Sequence, residues 1–236
     1  MTKKQMSRHK TASLDLRLGD CMDLMRDTPD GFYDLAIVDP PYGIGMDGRK
    51  GSTAKNPAHS WKRHERKSWD SAAPSADYFV ELRRVSKHQI IWGANYMTDN
   101  LPPSRFWVFW DKGQDLTMPD GELAWGSMEK PLRRVVFNRC EAREDGIIHP
   151  TQKPVALYKW LLANYAKPGQ RILDTHLGSG SIAIACHYFG AHLTATEIDP
   201  DYFAAACERI KRETQQVDMF TPELAAAVTH PELFDR

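Results

Sequence analysis

The sequence predicts an α/β fold with a mostly parallel, doubly wound sheet. Three observations support this prediction. Short apolar segments alternate with longer amphipathic ones from Val155 to Thr214, which is the βαβα pattern of a parallel sheet with helices on both faces. A Gly-rich turn at Gly178 and Gly180 connects one such strand to a helix. In the N-terminal half, the apolar run Leu35–Val38 reads as a buried strand that two prolines end.

Elements of the N-terminal half follow from periodicity and from breakers such as Pro29. An alternating segment predicts the first strand, and a short amphipathic segment predicts a helix. A long polar stretch without periodicity separates the next strand from a second helix and two further strands. The assignments in order are Ser13–Leu18, Cys21–Arg26, Asp34–Asp39, irregular 43–75, Ala76–Lys87, Gln89–Trp92 and Arg105–Trp110.

The middle of the chain is irregular, and the C-terminal part is regular. We expect short strands at Glu122–Trp125 and Leu132–Phe137 within the irregular part. After these come a helix, a strand, a helix, a strand and a helix, at Val155–Tyr165, Arg171–Asp174, Ser181–Phe189, His192–Glu197 and Tyr202–Thr214. We interpret 1–236 as a single catalytic domain, with a small irregular insertion at about 113–145 and a flexible tail at 215–236.

Composition limits the classes of partner and site. The 31 basic residues balance the 31 acidic ones, so any surface for nucleic acid must be local. No apolar run is long enough to span a membrane, and no apolar segment follows the basic N-terminus, which favours a cytoplasmic location. The four cysteines are far apart and form no CxxC pair, so we expect neither a disulfide framework nor a metal site.

The segment "ILDTHLGSGS" has features of a nucleoside-binding turn. Asp174 ends a strand, Gly178 and Gly180 open a helix, and Glu197 follows at the usual distance for an acid that binds ribose hydroxyls. The third glycine of a dinucleotide fingerprint is missing, and Asp174 would repel a pyrophosphate but attract a cationic amine. S-adenosylmethionine has a ribose, an amino group and no phosphates. We therefore take these residues, with His176 and Ser179, as candidate cofactor ligands; a purely structural turn is the alternative.

The segment "HPTQKP", His149–Pro154, precedes the helix that leads into this unit. Pro154 suits the first helical position, and Thr151 can bond to nearby backbone. Lys153 adds a positive charge at a helix N-terminus, a site that favours an anion such as the methionyl carboxylate. We therefore predict Thr151 and Lys153 as cofactor residues. The alternative is a proline-bounded helix start with solvated polar residues.

The segment "DPPY" presents Asp39 and Tyr42 stiffly at the carboxyl end of a strand, because Pro40 and Pro41 fix the turn. Together with "HPTQKP" and "DTHLGSGS" it resembles the exocyclic-amino DNA methyltransferases. The order of the motifs is that of their beta class, and the resemblance covers about Leu14 to Arg212. One departure is His176, where the family usually has Phe.

The resemblance implies a Rossmann-like methyltransferase fold, S-adenosylmethionine as methyl donor, and N6 of adenine or N4 of cytosine as acceptor. In such a site Asp39 and the Pro40 carbonyl accept the two amino N–H groups and stabilise the positive charge that develops on the nitrogen. The base must be flipped out of the duplex, and Tyr42 is expected to stack on it. Methylation at cytosine C5 would need a Pro-Cys nucleophile, which the chain does not contain.

Two basic groups are candidates for contacting double-stranded DNA. The loop at about 43–75 carries an excess of positive charge directly after the catalytic turn, at Arg49, Lys50, Lys55, Lys62, Arg63, Arg66 and Lys67. The region at about 113–145 is the candidate for target recognition, with Arg133, Arg134 and Arg139 as major-groove donors. The alternative for the loop is a solvated, flexible segment.

Further alternatives concern the substrate and the partners. Asp before Pro-Pro-Tyr resembles the adenine members more often, so N6-adenine is our first choice and N4-cytosine the second. A methyltransferase of RNA or small molecules and a non-catalytic DNA-binding protein are the other readings. Gln216–Phe220, "QVDMF", resembles the peptides that bind the bacterial sliding clamp. A homodimer that shares DNA contacts is a further expectation.

Overall fold

The computed structural model describes residues 7–45, 70–113, 119–137, 148–149 and 151–215. In these ranges the chain forms one nine-stranded sheet and five α-helices. The strands are β1 (Arg8–Lys10), β2 (Leu14–Leu18), β3 (Leu35–Val38), β4 (Gln89–Trp92), β5 (Trp107–Asp111), β6 (Gly121–Gly126), β7 (Arg133–Val136), β8 (Arg171–Asp174) and β9 (His192–Glu197). The helices are α1 (Cys21–Arg26), α2 (Ala76–Val85), α3 (Val155–Tyr165), α4 (Ser181–Phe189) and α5 (Pro200–Gln215).

The strand order is β1-β2-β9-β8-β3-β4-β6-β5-β7. All neighbouring pairs are parallel except β1 with β2 and β6 with both β4 and β5. Since only β1 and β6 are reversed, the other strands end at one edge of the sheet. The predicted α/β fold with a mostly parallel sheet is confirmed.

Both faces of the sheet are covered, as the near-continuous apolar strands require. On β3, Leu35 and Ile37 pack in one buried cluster, whereas Ala36 and Val38 pack in another. This alternation reflects the two-residue period of a strand. The first cluster includes apolar residues of α3, α4 and α5, and the second includes those of α1 and α2. The sheet is therefore doubly wound.

The element bounds differ from the predicted ones in a few places. Strand β5 starts at Trp107, two residues later than expected, and extends to Asp111. Helix α2 ends at Val85, two residues earlier than expected, and Ser86 is in extended conformation. Strand β1 was missed because Arg8–Lys10 is polar and lies at the sheet edge. None of the helices in the described part of the chain is long and apolar enough to cross a membrane.

The topology places two predicted motifs next to each other. Strand β3 pairs with β4 on one side and with β8, from the C-terminal half, on the other. The chain thus winds in opposite directions from this point, and ligands of open α/β sheets bind where the strand order reverses. Asp39 follows β3 and Asp174 ends β8, so the "DPPY" turn and the Gly-rich turn share the switch point.

Candidate active site

A cavity of about 760 Å³ lies along the carboxyl edge of the sheet. Its wall includes Asp39, Pro40, Pro41 and Tyr42 from the turn after β3, as well as residues of the turn after β8. Other predicted site residues that line it are Thr151, Lys153, His176, Gly178, Ser179 and Glu197. The single cavity therefore brings together motifs that are more than one hundred residues apart in the sequence.

The turn after β3 is held by Asp70, a buried residue that the sequence did not single out. Its Oδ1 accepts hydrogen bonds from the backbone N–H groups of Tyr42, at 2.7 Å, and Gly43, at 2.8 Å. The N–H of Gly45 donates to the Asp70 backbone carbonyl. Gly43 has a φ of +73°, and a side chain there would meet the backbone of Ala73 at 2.8 Å. The turn thus rests on backbone contacts in addition to its two prolines.

The Tyr42 ring packs against the backbone of Gly93 and lies nearly parallel to the ring of Tyr96. A Cβ atom on Gly93 would come within 2.0 Å of Tyr42 Cε1, and the φ of Gly93 is +65°. The Tyr96 ring centroid is 5.4 Å from that of Tyr42, at an interplanar angle of 17°. Tyr96 is half exposed and also lines the cavity. An aromatic pair, rather than a single ring, therefore borders this end of the cavity.

Four charged side chains of alternating sign form a chain at this end of the cavity, which we call the charge array: Asp39, Lys153, Glu122 and Lys112. Lys153 Nζ lies 2.6 Å from Asp39 Oδ2 and 2.9 Å from Glu122 Oε2. Lys112 Nζ lies 2.8 Å from Glu122 Oε1. The Tyr42 hydroxyl donates to Asp39 Oδ1 at 2.7 Å, so both oxygens of the Asp39 carboxylate are bonded.

Lys153 has partners that the sequence did not predict, and its role towards the cofactor stays a prediction. We predicted that Lys153 would bind the cofactor's carboxylate at the start of α3. Its ammonium group instead reaches Asp39 and Glu122, and its side chain is only 2% exposed. Pro154 precedes the first turn of α3 with extended backbone angles instead of occupying it. Lys153 therefore lies at the Asp39 end of the cavity, because its side chain is long enough to reach the carboxylates of Asp39 and Glu122.

Burial and neighbouring charges shift the pKa values in the charge array in a consistent way. Burial raises the pKa of Asp39, while Lys153 counteracts this shift. Burial also acts to raise the pKa of Glu122, but Lys153 and Lys112 outweigh it and lower the value to about 2. The pKa of Lys153 is raised because Asp39 and Glu122 outweigh its desolvation. The array thus pairs two carboxyl groups with two amino groups, so its formal charges balance.

The turn after β8 presents the Glu197 carboxylate to the cavity. Glu197 Oε2 accepts from the Gly178 N–H at 2.9 Å, and Oε1 accepts from the Asp199 N–H at 3.0 Å. Gly178 has a φ of +51°, which favours glycine, and the nearest atoms to a Cβ there belong to His176 and His149. Backbone bonds thus fix the carboxylate orientation while leaving lone pairs on both oxygens for other donors.

Two of the predicted cofactor residues, Asp174 and Gly180, lie behind the turn instead of facing the cavity. Asp174 and Gly180 are not among the described residues that line the cavity. Asp174 is buried, its Oδ1 accepts from the His176 N–H, and burial raises its pKa to about 8. A Cβ on Gly180 would meet the side chain of Ile210 at 2.7 Å, so this glycine allows α4 and α5 to pack closely. Both positions support the turn from behind.

His176 occupies the place where the family usually has Phe. Its Nδ1 is 2.8 Å from Thr175 Oγ1, and its ring contacts the Tyr78 ring edge-on. Burial lowers the pKa of His176 to about 4, so the imidazole is neutral at physiological pH. A neutral ring packed against an aromatic side chain can fill the role of a phenyl ring at this wall.

The cavity wall fits S-adenosylmethionine in its chemistry. Glu197 offers a fixed carboxylate for ribose hydroxyls, and the neighbouring Ile198 exposes 63% of its surface for a flat apolar ring. Asp20, at the start of α1, also lines the cavity and offers an acceptor for an amino group. The sequence did not single out Asp20 and Ile198. Each directly follows a strand or its turn, which is the signal that could have found them.

Residues predicted to contact DNA are only partly described. Arg133 and Arg134 are exposed on the edge strand β7, and Arg134 forms an ion pair with Asp111 at 2.7 Å. Arg139 and the seven basic residues Arg49, Lys50, Lys55, Lys62, Arg63, Arg66 and Lys67 lie outside the described residues, as does Gln216–Phe220. Their roles stay predictions.

Comparisons with known proteins agree with this geometry. Residues 125–208 match the family model N6_N4_Mtase, described as DNA methylase. YubD of Escherichia coli (strain K12), a protein named for an inferred methylase activity, is 25% identical over 226 residues, which cover 88% of this chain and 97% of YubD.

Two solved structures show the same fold at low sequence identity. The M1.HpyAVI–SAM complex superposes with a TM-score of 0.57 at 18% identity, covering 83% of this chain and 99% of that one. The PvuII DNA methyltransferase (cytosine-N4-specific) also has a TM-score of 0.57, at 15% identity, covering 87% and 91%. Over residues 125–208 the chain is thus similar to the DNA methylase family, and it shares its fold with the PvuII DNA methyltransferase and with M1.HpyAVI, which was solved as a complex with SAM.

Proposed function

We propose that this methyltransferase acts on N6 of adenine in double-stranded DNA, at a specific sequence, after flipping the base out of the helix. The observation that best supports this proposal is that one cavity joins the Asp39–Tyr42 turn to the region of Gly178 and Glu197. A methyl donor bound near Gly178 and Glu197 and a flipped base bound near Asp39 and Tyr42 would share this cavity and lie next to each other, as in-line methyl transfer requires.

The residues of the catalytic turn support a specific chemistry. Bound S-adenosylmethionine supplies an electrophilic methyl group on a sulfonium. The amino nitrogen of adenine is a poor nucleophile because its lone pair is delocalised into the ring. Asp39 and the Pro40 carbonyl accept its two N–H groups, favour a more tetrahedral nitrogen and stabilise the positive charge that develops on it. Because burial raises the pKa of Asp39, this carboxylate also accepts a proton more readily than an exposed one.

The Tyr42–Tyr96 pair supports the base-flipping part of the proposal. Stacking on an aromatic ring is worth about 1–3 kcal/mol per base, which offsets part of the unstacking cost. The Tyr42 hydroxyl is bonded to Asp39, and the half-exposed Tyr96 ring lies beside the Tyr42 ring. We expect the flipped base to stack on one of these rings near the charge array.

The test is methyl transfer from labelled S-adenosylmethionine to unmodified DNA, followed by nucleoside analysis. We expect labelled N6-methyladenine as the product. N4-methylcytosine as the sole product would overturn the choice of base, and transfer to RNA alone would overturn the substrate class. Asp39→Ala should abolish the label, and Asp30→Asn, a change at an exposed carboxylate, should not.

A further inference from the structure

The charge array has a cost that stability alone does not explain. Lys153 and Lys112 expose only 2% and 9% of their side chains, and their partners Asp39 and Glu122 expose 18% and 24%. Burying ion pairs in a protein is often neutral or unfavourable relative to apolar packing. All four side chains line the cavity, at the end that carries the catalytic turn. A chain of paired acidic and basic groups in a cleft is a candidate for recognising a substrate.

The order of groups along the charge array is acceptor, donor, acceptor. Asp39 Oδ2 is followed by Lys153 Nζ at 2.6 Å, and this by Glu122 Oε2 at 2.9 Å. A flipped base is commonly read on its Watson–Crick edge. Adenine presents there an amino donor, the N1 acceptor and then a C2–H group. Cytosine presents an amino donor, the N3 acceptor and then the O2 acceptor. The two bases thus differ at the third position.

We propose that Lys153 donates a hydrogen bond to N1 of the target adenine, and that Glu122 faces the C2 position and disfavours cytosine. The proposal rests on the proposed function. With the amino group on Asp39, the ring nitrogen comes next to the ammonium group of Lys153. A carboxylate at the third position tolerates C–H but repels the lone pairs of a cytosine O2. Lys153 and Glu122 are then specificity-determining residues for the base.

One existing contact must give way for this to occur. The ammonium group of Lys153 has three donors, and these reach Asp39, Glu122 and the Tyr42 hydroxyl. The contact to Tyr42 is the longest of the three, at 3.2 Å, and it is the one that a ring nitrogen would replace. The Tyr42 hydroxyl keeps its own bond to Asp39. Binding of the base therefore exchanges one hydrogen bond and leaves the rest of the array intact.

The experiment combines base analogues with variants of the charge array. The target site is first located by mapping the methylated adenines that the wild-type enzyme introduces into unmodified DNA. Duplexes then carry adenine, 1-deazaadenine or cytosine at that position. The enzymes are wild type, Lys153→Met, Glu122→Gln and the matched control Lys87→Met, which removes an exposed lysine paired with Asp34. The readouts are single-turnover methyl transfer and duplex affinity without cofactor.

Loss of N1 should affect only enzymes that keep Lys153. We expect 1-deazaadenine to lower transfer and affinity at least about tenfold in wild type and in Lys87→Met, a typical size for a good base contact. In Lys153→Met the same analogue should have little further effect. Equal losses with and without Lys153 would overturn the contact to N1. The ratio of adenine to 1-deazaadenine transfer is compared between enzymes, so any difference in the intrinsic reactivity of the two bases cancels.

Glu122 is tested by the ratio of cytosine to adenine transfer. We expect Glu122→Gln to raise this ratio about tenfold, since an amide can donate to O2. An unchanged ratio would overturn the role of Glu122. If Lys153→Met fails to fold, the double variant Lys153→Met/Glu122→Gln keeps the array neutral and gives the same N1 comparison. If wild type methylates adenine but the N1 effect does not depend on Lys153 and the base ratio does not depend on Glu122, only this inference is refuted. If wild type does not methylate DNA at all, the proposed function is refuted.

Discussion

Lys153 Nζ lies 2.6 Å from Asp39 Oδ2, although the two residues are 114 positions apart in the chain. The pair joins the segments "DPPY" and "HPTQKP" directly, at the point where β3 and β8 are neighbours in the sheet. The second segment therefore contributes to the environment of the catalytic carboxylate and is more than the entrance to α3.

Removal of the Asp39 carboxylate should abolish methyl transfer while the cofactor still binds. Asp39→Ala deletes one of two acceptors for the amino group, and loss of one such group typically costs about 100- to 1,000-fold in rate. Single-turnover rates measure the loss, and titration calorimetry with S-adenosylmethionine measures binding. Asp30→Asn, at an exposed carboxylate, should change neither quantity. A rate loss explained wholly by lost cofactor affinity would contradict the assigned role.

Lys153→Met should move the acid limb of the pH–rate profile to higher pH. Lys153 counteracts the effect of burial on Asp39, so its removal raises the pKa of Asp39 further. Transfer requires the ionised carboxylate, and a higher pKa means that ionisation begins at higher pH. Tyr42→Phe removes a smaller opposing contribution and should shift the limb in the same direction by less. An unshifted limb in Lys153→Met would exclude Asp39 as the titrating group.

Asp174→Asn should stabilise the protein without cofactor, and increasingly so as the pH rises. Burial raises the pKa of Asp174 from its ordinary 3.8 to about 8 in the folded state, so the buried carboxylate reduces wild-type stability as pH rises from about 4 to 8. Asparagine keeps an oxygen for the His176 N–H and removes this dependence. The expected gap in unfolding free energy at pH 8 is a few kcal/mol.

Denaturant unfolding at pH 5, 7 and 8.5 checks this expectation. Asp99→Asn, on the surface, serves as the control and should follow wild type at each pH. A constant difference between Asp174→Asn and wild type across this range would show that the carboxylate does not titrate as proposed.

Gly93→Ala should destabilise the protein more than Gly31→Ala. Both glycines have positive φ, at +65° and +59°, so each substitution carries the left-handed backbone cost of about 1–2 kcal/mol. Only at Gly93 would the new methyl group meet the Tyr42 ring, whereas nothing lies within 4 Å at Gly31. Thermal unfolding gives the difference, which isolates the contact with Tyr42. Equal losses would mean that the ring moves aside freely.

Replacing Lys62, Arg63, Arg66 and Lys67 by alanine should weaken DNA binding and flatten its salt dependence. Each phosphate contact contributes about −0.9 to the slope of log K against log salt. Loss of up to four contacts should therefore make this slope less negative by up to about three or four. Anisotropy with a labelled duplex at several salt concentrations measures both quantities. Cofactor affinity is the internal control. Unchanged affinity and slope would remove this segment from the DNA-binding surface.

Local signals were sufficient for part of the site. Asp39 follows the apolar run Leu35–Val38, and Glu197 ends the strand-like segment His192–Glu197; both positions could be assigned to the end of a strand from the sequence. Glu122 could not be found in this way, because its position depends on the reversal of β6 between β4 and β5. This reversal brings the start of β6 to the edge where β5 ends, and so places Glu122 beside Lys112. Nothing in the local sequence specifies that strand order.

Lys153 illustrates a second limit of sequence reasoning. The prediction considered the backbone groups at the start of α3, which lie near the residue in the chain. The four-carbon side chain instead reaches carboxylates on β6 and after β3. Asp174 is a similar case. It ends β8 as the sequence predicts, but its burial behind the cavity wall depends on how β8 pairs with β3 and β9.

The hydrogen bonds made by Asp70 affect how the segment between Gly45 and Asp70 can be replaced by that of a related enzyme. Its carboxylate and carbonyl hold the N–H groups of Tyr42, Gly43 and Gly45, so Gly45 and Asp70, the described residues on either side of the segment 46–69, lie next to each other. Changing the length of a segment anchored in this way costs little in closure entropy. A graft of a relative's sequence between Gly45 and Asp70 should therefore leave the catalytic turn in place, which makes this segment a natural position for engineering new DNA contacts.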